Sequence, residues 1–238
     1  MGNVALSKCS CLYWLGRYTE RVFTTLNTFF KYYDKMIDKE PDLYKKYLSA
    51  IGVPDTYAGK EDFLYRYAFD VKVPDSIISN LEKALGNGIV LRQEIKSSSL
   101  SYLQLAIDKM KTSMATTMFR YDLLFVHDNL YAFWGSIENN MTDDKAKNII
   151  YLGKAIERLD LFVRLSYPDD EIRNAFSYLS KHVNTIINAG YGDSVNKSAY
   201  DSLQKINDIN FDVIKNRNEM IDSVETLFEV KKGEEILV

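Results

Sequence analysis

The chain holds 238 residues, with 30 Lys and Arg against 33 Asp and Glu; the resulting net charge of −3 gives no basic excess that would point to nucleic acid. No apolar run is long enough to cross a membrane, and the amino-terminal stretch lacks the apolar core of a secretion signal, so a cytoplasmic protein is expected. With 17 Tyr and 12 Phe but only 4 Pro, the composition is that of long packed helices, and the length can bury a core as one large domain or two intimate halves.

In chain order, the first long helix is expected from about Leu12 to Asp38, because Leu12, Leu15, Thr19, Val22, Leu26, Phe29, Tyr33 and Met36 fall at steps of three and four. Glu40-Pro41-Asp42 breaks it, and short helices follow through Tyr44–Leu48 and Phe63–Phe69. Pro74-Asp75 reads as a helix start. Its pattern runs through Gly86-Asn87-Gly88 toward Ile95, which predicts a bend or a tight helix contact at the glycines. Ser97-Ser98-Ser99 can cap the next helix, and an apolar helix is expected from about Thr117 to Asn139. Thr142-Asp143-Asp144 caps another that ends at Tyr167-Pro168, and Asp169-Asp170-Glu171 supplies acid to the first turn of the helix after it. A loop is expected at Ala189–Asp193, then one final helix from about Lys197 to Phe228 and a frayed tail over 231–238. No segment carries a strand pattern, so the predicted fold is all-α, a helical bundle.

One phrase occurs twice. Trp14-Leu15-Gly16-Arg17-Tyr18-Thr19-Glu20-Arg21 aligns without a gap on Tyr151-Leu152-Gly153-Lys154-Ala155-Ile156-Glu157-Arg158. The second copy continues a stripe of its own through Ile149, Leu152, Ile156, Leu159 and Val163. The repeat predicts two related halves within a single domain over residues 1–230, the first from about 10 and the second from about 143, each with a Leu-Gly-(Arg/Lys)-x-x-Glu-Arg helix. In both copies a Glu lies one turn from a Gly at the edge of the apolar face. Gly inside a helix costs roughly 1 kcal/mol against Ala, so its presence at one place in both copies implies that another backbone passes close by.

A carboxylate at such a contact needs a partner, and Arg17 and Arg21, or Arg158 and Lys154 from the other copy, can supply it. Two readings follow for Arg17, Glu20, Arg21, Lys154, Glu157 and Arg158. In one, a buried Glu/Arg cluster sets how the halves dock. In the other, the cations hold an anion, such as a phosphate or substrate carboxylate, with Arg92 and Arg164 as further candidates.

No catalytic constellation or metal set is assembled. Neither His127 nor His182 has the Glu three residues before it that di-iron bundles use, and His127 is expected to pack in its aromatic run. Gly86-Asn87-Gly88 lacks the Lys-Ser/Thr of a phosphate loop. Cys9 and Cys11 cannot close a zinc site alone and read as free thiols ahead of the first helix, where a helix dipole could lower their pKa. No cofactor is expected.

Trp-Leu-Gly-Arg-Tyr-x-Glu-Arg near the amino terminus, with Leu-Gly-Lys-x-Ile-Glu-Arg-Leu-Asp about midway, resembles the alpha-E family, a predicted all-helical bacterial domain named after its Glu-Arg motif. A third family stretch is half kept through Asn87, Leu91, Arg92, Ile95 and Ser97; Asn27 stands where the family often has Arg, and Arg164 keeps its counterpart. The resemblance implies a setting beside circularly permuted ATP-grasp proteins and transglutaminase-like peptidases. The function it implies is a non-catalytic helical partner of an ATP-grasp amide or peptide ligase. The alternatives are an enzyme acting on a peptide or amino-acid derivative through the paired Glu-Arg motifs, and an oligomeric scaffold. A deep polar pocket reaching the motifs would favour the enzyme; a closed ion cluster with an exposed apolar face elsewhere would favour the partner.

Overall fold

The computed structural model describes residues 2–38, 40, 42–113 and 119–229; the tail expected to fray lies outside them. These residues form α1 (Gly2–Asp38), α2 (Leu43–Ile51), α3 (Lys60–Phe69), α4 (Ile77–Val90), α5 (Ser97–Ser113), α6 (Phe119–Asn140), α7 (Asp144–Arg164), α8 (Asp169–Ile186), α9 (Lys197–Gln204) and α10 (Arg217–Glu225). The only β pairing among the described residues is an isolated antiparallel bridge between Val195 and Phe228, so the fold is all-α. The chain divides into two compact units, one of residues 1–17 and 142–238, the other of residues 18–141.

In the first unit, α7 forms where its cap was expected. The Asp143 carboxylate accepts the backbone N–H groups of Lys145 and Ala146 at 2.9 and 3.0 Å, satisfying donors that a helix start leaves open. The stripe of Ile149, Leu152, Ile156, Leu159 and Val163 is buried throughout. Downstream, α8 opens with Asp169, Asp170 and Glu171 in its first turn and ends in a π turn over Ile187–Tyr191, in which Gly190 takes φ 89°. That position favours glycine and falls in the expected loop.

The single final helix expected over 197–228 is two helices. After α9 the chain makes a 3-10 turn and then leaves the helix. Asp208 accepts the backbone N–H of Asn210 at 2.9 Å, and Asp212 that of Lys215 at 2.9 Å, side-chain bonds that compete with the helical ladder. Arg173 of α8 takes over the freed carbonyls. Its guanidinium donates to Ile206, to Asp208 at 2.7 Å, to Ile209 at 3.4 Å and to Phe211 at 3.3 Å.

In the second unit, α4 begins at Ile77, three residues beyond the expected Pro74 start, with the Ser76 hydroxyl accepting from Ser79 N–H at 3.1 Å. The helix passes both glycines and stops at Val90, where turns replace the expected continuation to Ile95. Gly88 marks the tight contact: an alanine Cβ there would stand 2.5 Å from Leu100 Cδ2. Gly86 faces open space. A Ser99–Ser136 hydroxyl bond of 2.8 Å and a Lys109–Asp122 ion pair of 2.6 Å bind α5 and α6 into an antiparallel hairpin. Phe63 anchors an aromatic core, stacked on Tyr44 and Tyr67 at centroid distances of 5.0 and 5.1 Å.

The first helix starts ten residues earlier than its apolar stripe, at Gly2 instead of Leu12. Cys9 and Cys11 are therefore inside the helix, away from the end where a dipole would stabilise a thiolate. Both are free thiols, as read from the sequence; burial pushes the Cys9 thiol up to about 11 and raises that of Cys11, opposite to the lowering that a helix dipole could have given.

Candidate functional site

The site is built where the two copies of the motif place their glycines. An alanine Cβ at Gly16 would stand 2.1 Å from the Ile150 carbonyl oxygen and 2.9 Å from Lys154 N. One at Gly153 would stand 2.2 Å from the Tyr13 carbonyl oxygen and 3.3 Å from Arg17 N. Each glycine thus meets the backbone three residues before and one residue after the other. No side chain fits at either position, and the expected close passage of backbones is a crossing of α1 on α7.

One residue beyond Gly16, Arg17 lies along this crossing and joins the two copies. Its Nε donates to Glu157 Oε2 at 2.6 Å, and a terminal nitrogen donates to the Tyr13 hydroxyl at 3.2 Å. The guanidinium carbon also sits 5.8 Å from the Tyr13 ring centroid and 5.5 Å from that of Trp14, within cation–π range. Both ends of the pair are sealed, with Arg17 8 % exposed and Glu157 0 %. Burial works against the Arg17 charge, but the adjacent Glu157 carboxylate, with smaller help from Tyr13 and Asp160, holds its pKa above the ordinary arginine value. Burial raises the Tyr13 phenol, Arg17 notwithstanding, so it remains a hydroxyl.

A second acid shares this buried region. Asp160 follows Glu157 by one helical turn; burial, then the Glu157 charge, raise its pKa, while Arg164 and Arg17 oppose them. Arg164 Nε donates to Asp160 at 2.8 Å, and its other arm reaches Glu225 of α10. The helical spacing of Glu157, Asp160 and Arg164 could have revealed this member of the cluster. Glu225 carries no such signal, being 61 residues from Arg164.

The remaining expected residues are distributed differently. Arg164 is engaged by two carboxylates, and Arg92 is exposed. Lys154 Nζ lies 5.6 Å from the Tyr151 ring, and the Arg158 guanidinium 5.9 Å from that of Tyr178. In the other unit, Glu20 is fully buried and accepts the Thr24 hydroxyl at 3.2 Å. There burial, and next the Tyr47 hydroxyl, raise the Tyr67 phenol well above its ordinary value, with the Arg21 charge working against them.

Both histidines pack against aromatic rings. His127 stacks on Phe23 at 4.6 Å, its Nε2 buried with no hydrogen-bond partner among the described residues. His182 Nδ1 lies 2.6 Å from Asn148 Oδ1, and Asn148 Nδ2 donates to the His182 carbonyl at 3.2 Å. Among the described residues, no three His, Cys, Asp or Glu side chains are grouped to hold a metal, and no helix is long and apolar enough to cross a membrane. A half-open apolar cleft lined by Asn148, Ile149, Thr185 and Ile186 contains none of the Glu-Arg motif residues.

An all-helical chain whose Glu-Arg helix is tied by its Glu to a buried Arg of another helix is the class that fold and site define. The model of the Alpha-E family, described as a predicted alpha-helical domain with a conserved ER motif, matches residues 8–181, and the chain belongs to that family. None of the curated proteins and none of the solved structures matches it.

Proposed function

We propose that this chain is a non-catalytic helical partner of a circularly permuted ATP-grasp ligase, working in a bacterial cytoplasm in a pathway that forms or modifies amide bonds. The observation that carries this reading is the closure of the Arg17–Glu157 pair. Both side chains are buried, they are bonded to each other, and they lie at a crossing where two glycines bring the backbones together. A pair so enclosed sets register, and it leaves only 8 % of Arg17 exposed to meet a substrate. The reciprocal glycine contact also supports reading the doubled motif as an internal repeat.

The test is co-expression with an ATP-grasp ligase encoded beside the chain, followed by co-purification. Nucleotide turnover is then assayed with amino acids and peptides present, for each protein alone and for both together. A stable complex, with turnover only where the ligase is present, is the expected result. Turnover by the isolated chain, abolished by Arg158→Ala without loss of fold, overturns the reading and makes the motif an active site.

A further inference from the structure

Between α2 and α3, residues 54–58 form neither helix nor strand, and neither helix depends on them for its end. α2 is closed by Gly52, at φ 74°, whose N–H donates to the Ser49 carbonyl at 3.3 Å, while Val53 N–H donates to that of Leu48 at 3.0 Å. α3 opens at Gly59, whose carbonyl accepts Phe63 N–H at 2.9 Å. The Gly59 backbone, at φ 155° and ψ −172°, is in a region reached essentially by glycine alone. A Cβ there would meet nothing within 4 Å, so conformation and not space requires the glycine. The segment is bounded by two backbone positions that hold their helices whatever lies between them.

One side chain holds this segment down. Pro54, Asp55, Thr56 and Ala58 are exposed, whereas Tyr57 is 8 % exposed and sets its ring edge-on to Phe63 at 5.2 Å. Its hydroxyl is buried with no hydrogen-bond partner among the described residues. A buried hydroxyl left dry costs free energy that hydration would return. Among the described residues the other ties reach solvent. Ala58 N–H donates to Asp62 at 2.9 Å, and the Arg66 guanidinium donates to the Thr56 carbonyl at 3.2 Å and lies 5.3 Å from the Tyr57 ring. Arg66 divides the same guanidinium between Asp62 at 3.4 Å and Asp70 at 3.3 Å, the lengths of weak bonds.

We propose that residues 54–58 form a strap over Phe63 that opens and closes without unfolding α2 or α3, with Tyr57 as its catch. Closed, the buried ring holds the strap, and the dry hydroxyl works against it, which narrows the gap between the two states. Open, the hydroxyl is hydrated, and an edge of Phe63, otherwise 1 % exposed, is uncovered. The strap thereby controls access to Phe63 and to the aromatic core around it.

The experiment is amide hydrogen exchange of the full chain, read by NMR over guanidinium chloride concentrations well below unfolding. The Tyr57 and Ala58 amides, bonded to the Asp55 and Asp62 side chains, should exchange through an opening that denaturant does not promote. Leu48 of α2 and Tyr67 of α3 should exchange through a larger opening that it does promote. Tyr57→Phe removes the dry hydroxyl and should slow exchange at Ala58 at least about fivefold. Tyr57→Ala removes the catch and should speed it at least about tenfold; if that variant fails to fold, Tyr57→Phe still decides. Exchange at Ala58 that rises with denaturant in step with Leu48 and Tyr67 overturns the separate opening. Exchange at Ala58 that Tyr57→Phe leaves unchanged shows that Tyr57 is no catch, and overturns the proposal as well.

Discussion

Gly16→Ala should destabilise the protein, although Ala is the better helix former. The added Cβ would lie 2.1 Å from a backbone oxygen of α7, and no rotamer change relieves a contact with backbone. Relief requires the helices to part by about 1 Å, which places the cost at the upper end of overpacking, about 3 kcal/mol. Helix propensity returns about 1 kcal/mol, leaving a net loss of about 2 kcal/mol. For a chain of this size that is about 4–8 °C in Tm. Gly153→Ala should behave alike, because its Cβ would stand 2.2 Å from the Tyr13 oxygen. Gly86→Ala provides the opposite sign: it too is inside a helix, but nothing lies within 4 Å, so it should stabilise by about 0.5–1 kcal/mol. Urea unfolding followed by circular dichroism and by fluorescence of Trp14 and Trp134, one in each unit, measures both effects. A Gly16→Ala protein as stable as the wild type would refute the close crossing.

Two further outcomes are expected. Glu157→Ala leaves a guanidinium buried and unpaired and should cost about 3–5 kcal/mol, while Arg17→Met with Glu157→Leu should recover most of that loss, both read from urea midpoints. His127 should make stability depend on pH: burial lowers its pKa from 6.5, with Asp128 opposing, so protonation favours the unfolded chain. Its contribution is then complete above pH 6.5 and is lost as pH falls from there through the lower folded value. His127→Phe keeps the stack on Phe23, and its urea midpoints at pH 7.5 and about 5.5 should differ less than those of the wild type.

What was legible in the sequence is what is written locally. The period of three and four along Leu12–Phe29 and Ile149–Val163 identified buried faces, and every described member of both stripes is buried. The two glycines were legible for another reason. A residue that weakens its own helix must answer to something outside it, and the doubled Leu-Gly context pointed to a backbone. Arg17 as the partner of Glu157 was one of several pairings the motif allowed. Choosing among them needed the crossing geometry, because residues 140 apart in sequence have no spacing to compare.

The misplaced final helix has the converse cause. Lys197–Phe228 has helical periodicity, and the Asx turns at Asp208 and Asp212 compete with a helix only weakly by themselves. The deciding term is Arg173, more than thirty residues upstream, whose guanidinium offers several carbonyls a charged donor in place of a helical N–H. Charge-assisted bonds are roughly twice as strong as neutral ones, enough to settle a contest between two near-equal local conformations. Arg17 and Arg173 make the same point from opposite sides: the periodic apolar residues decide where helices form, and a buried or bridging guanidinium from a distant helix decides where they cross and where they end.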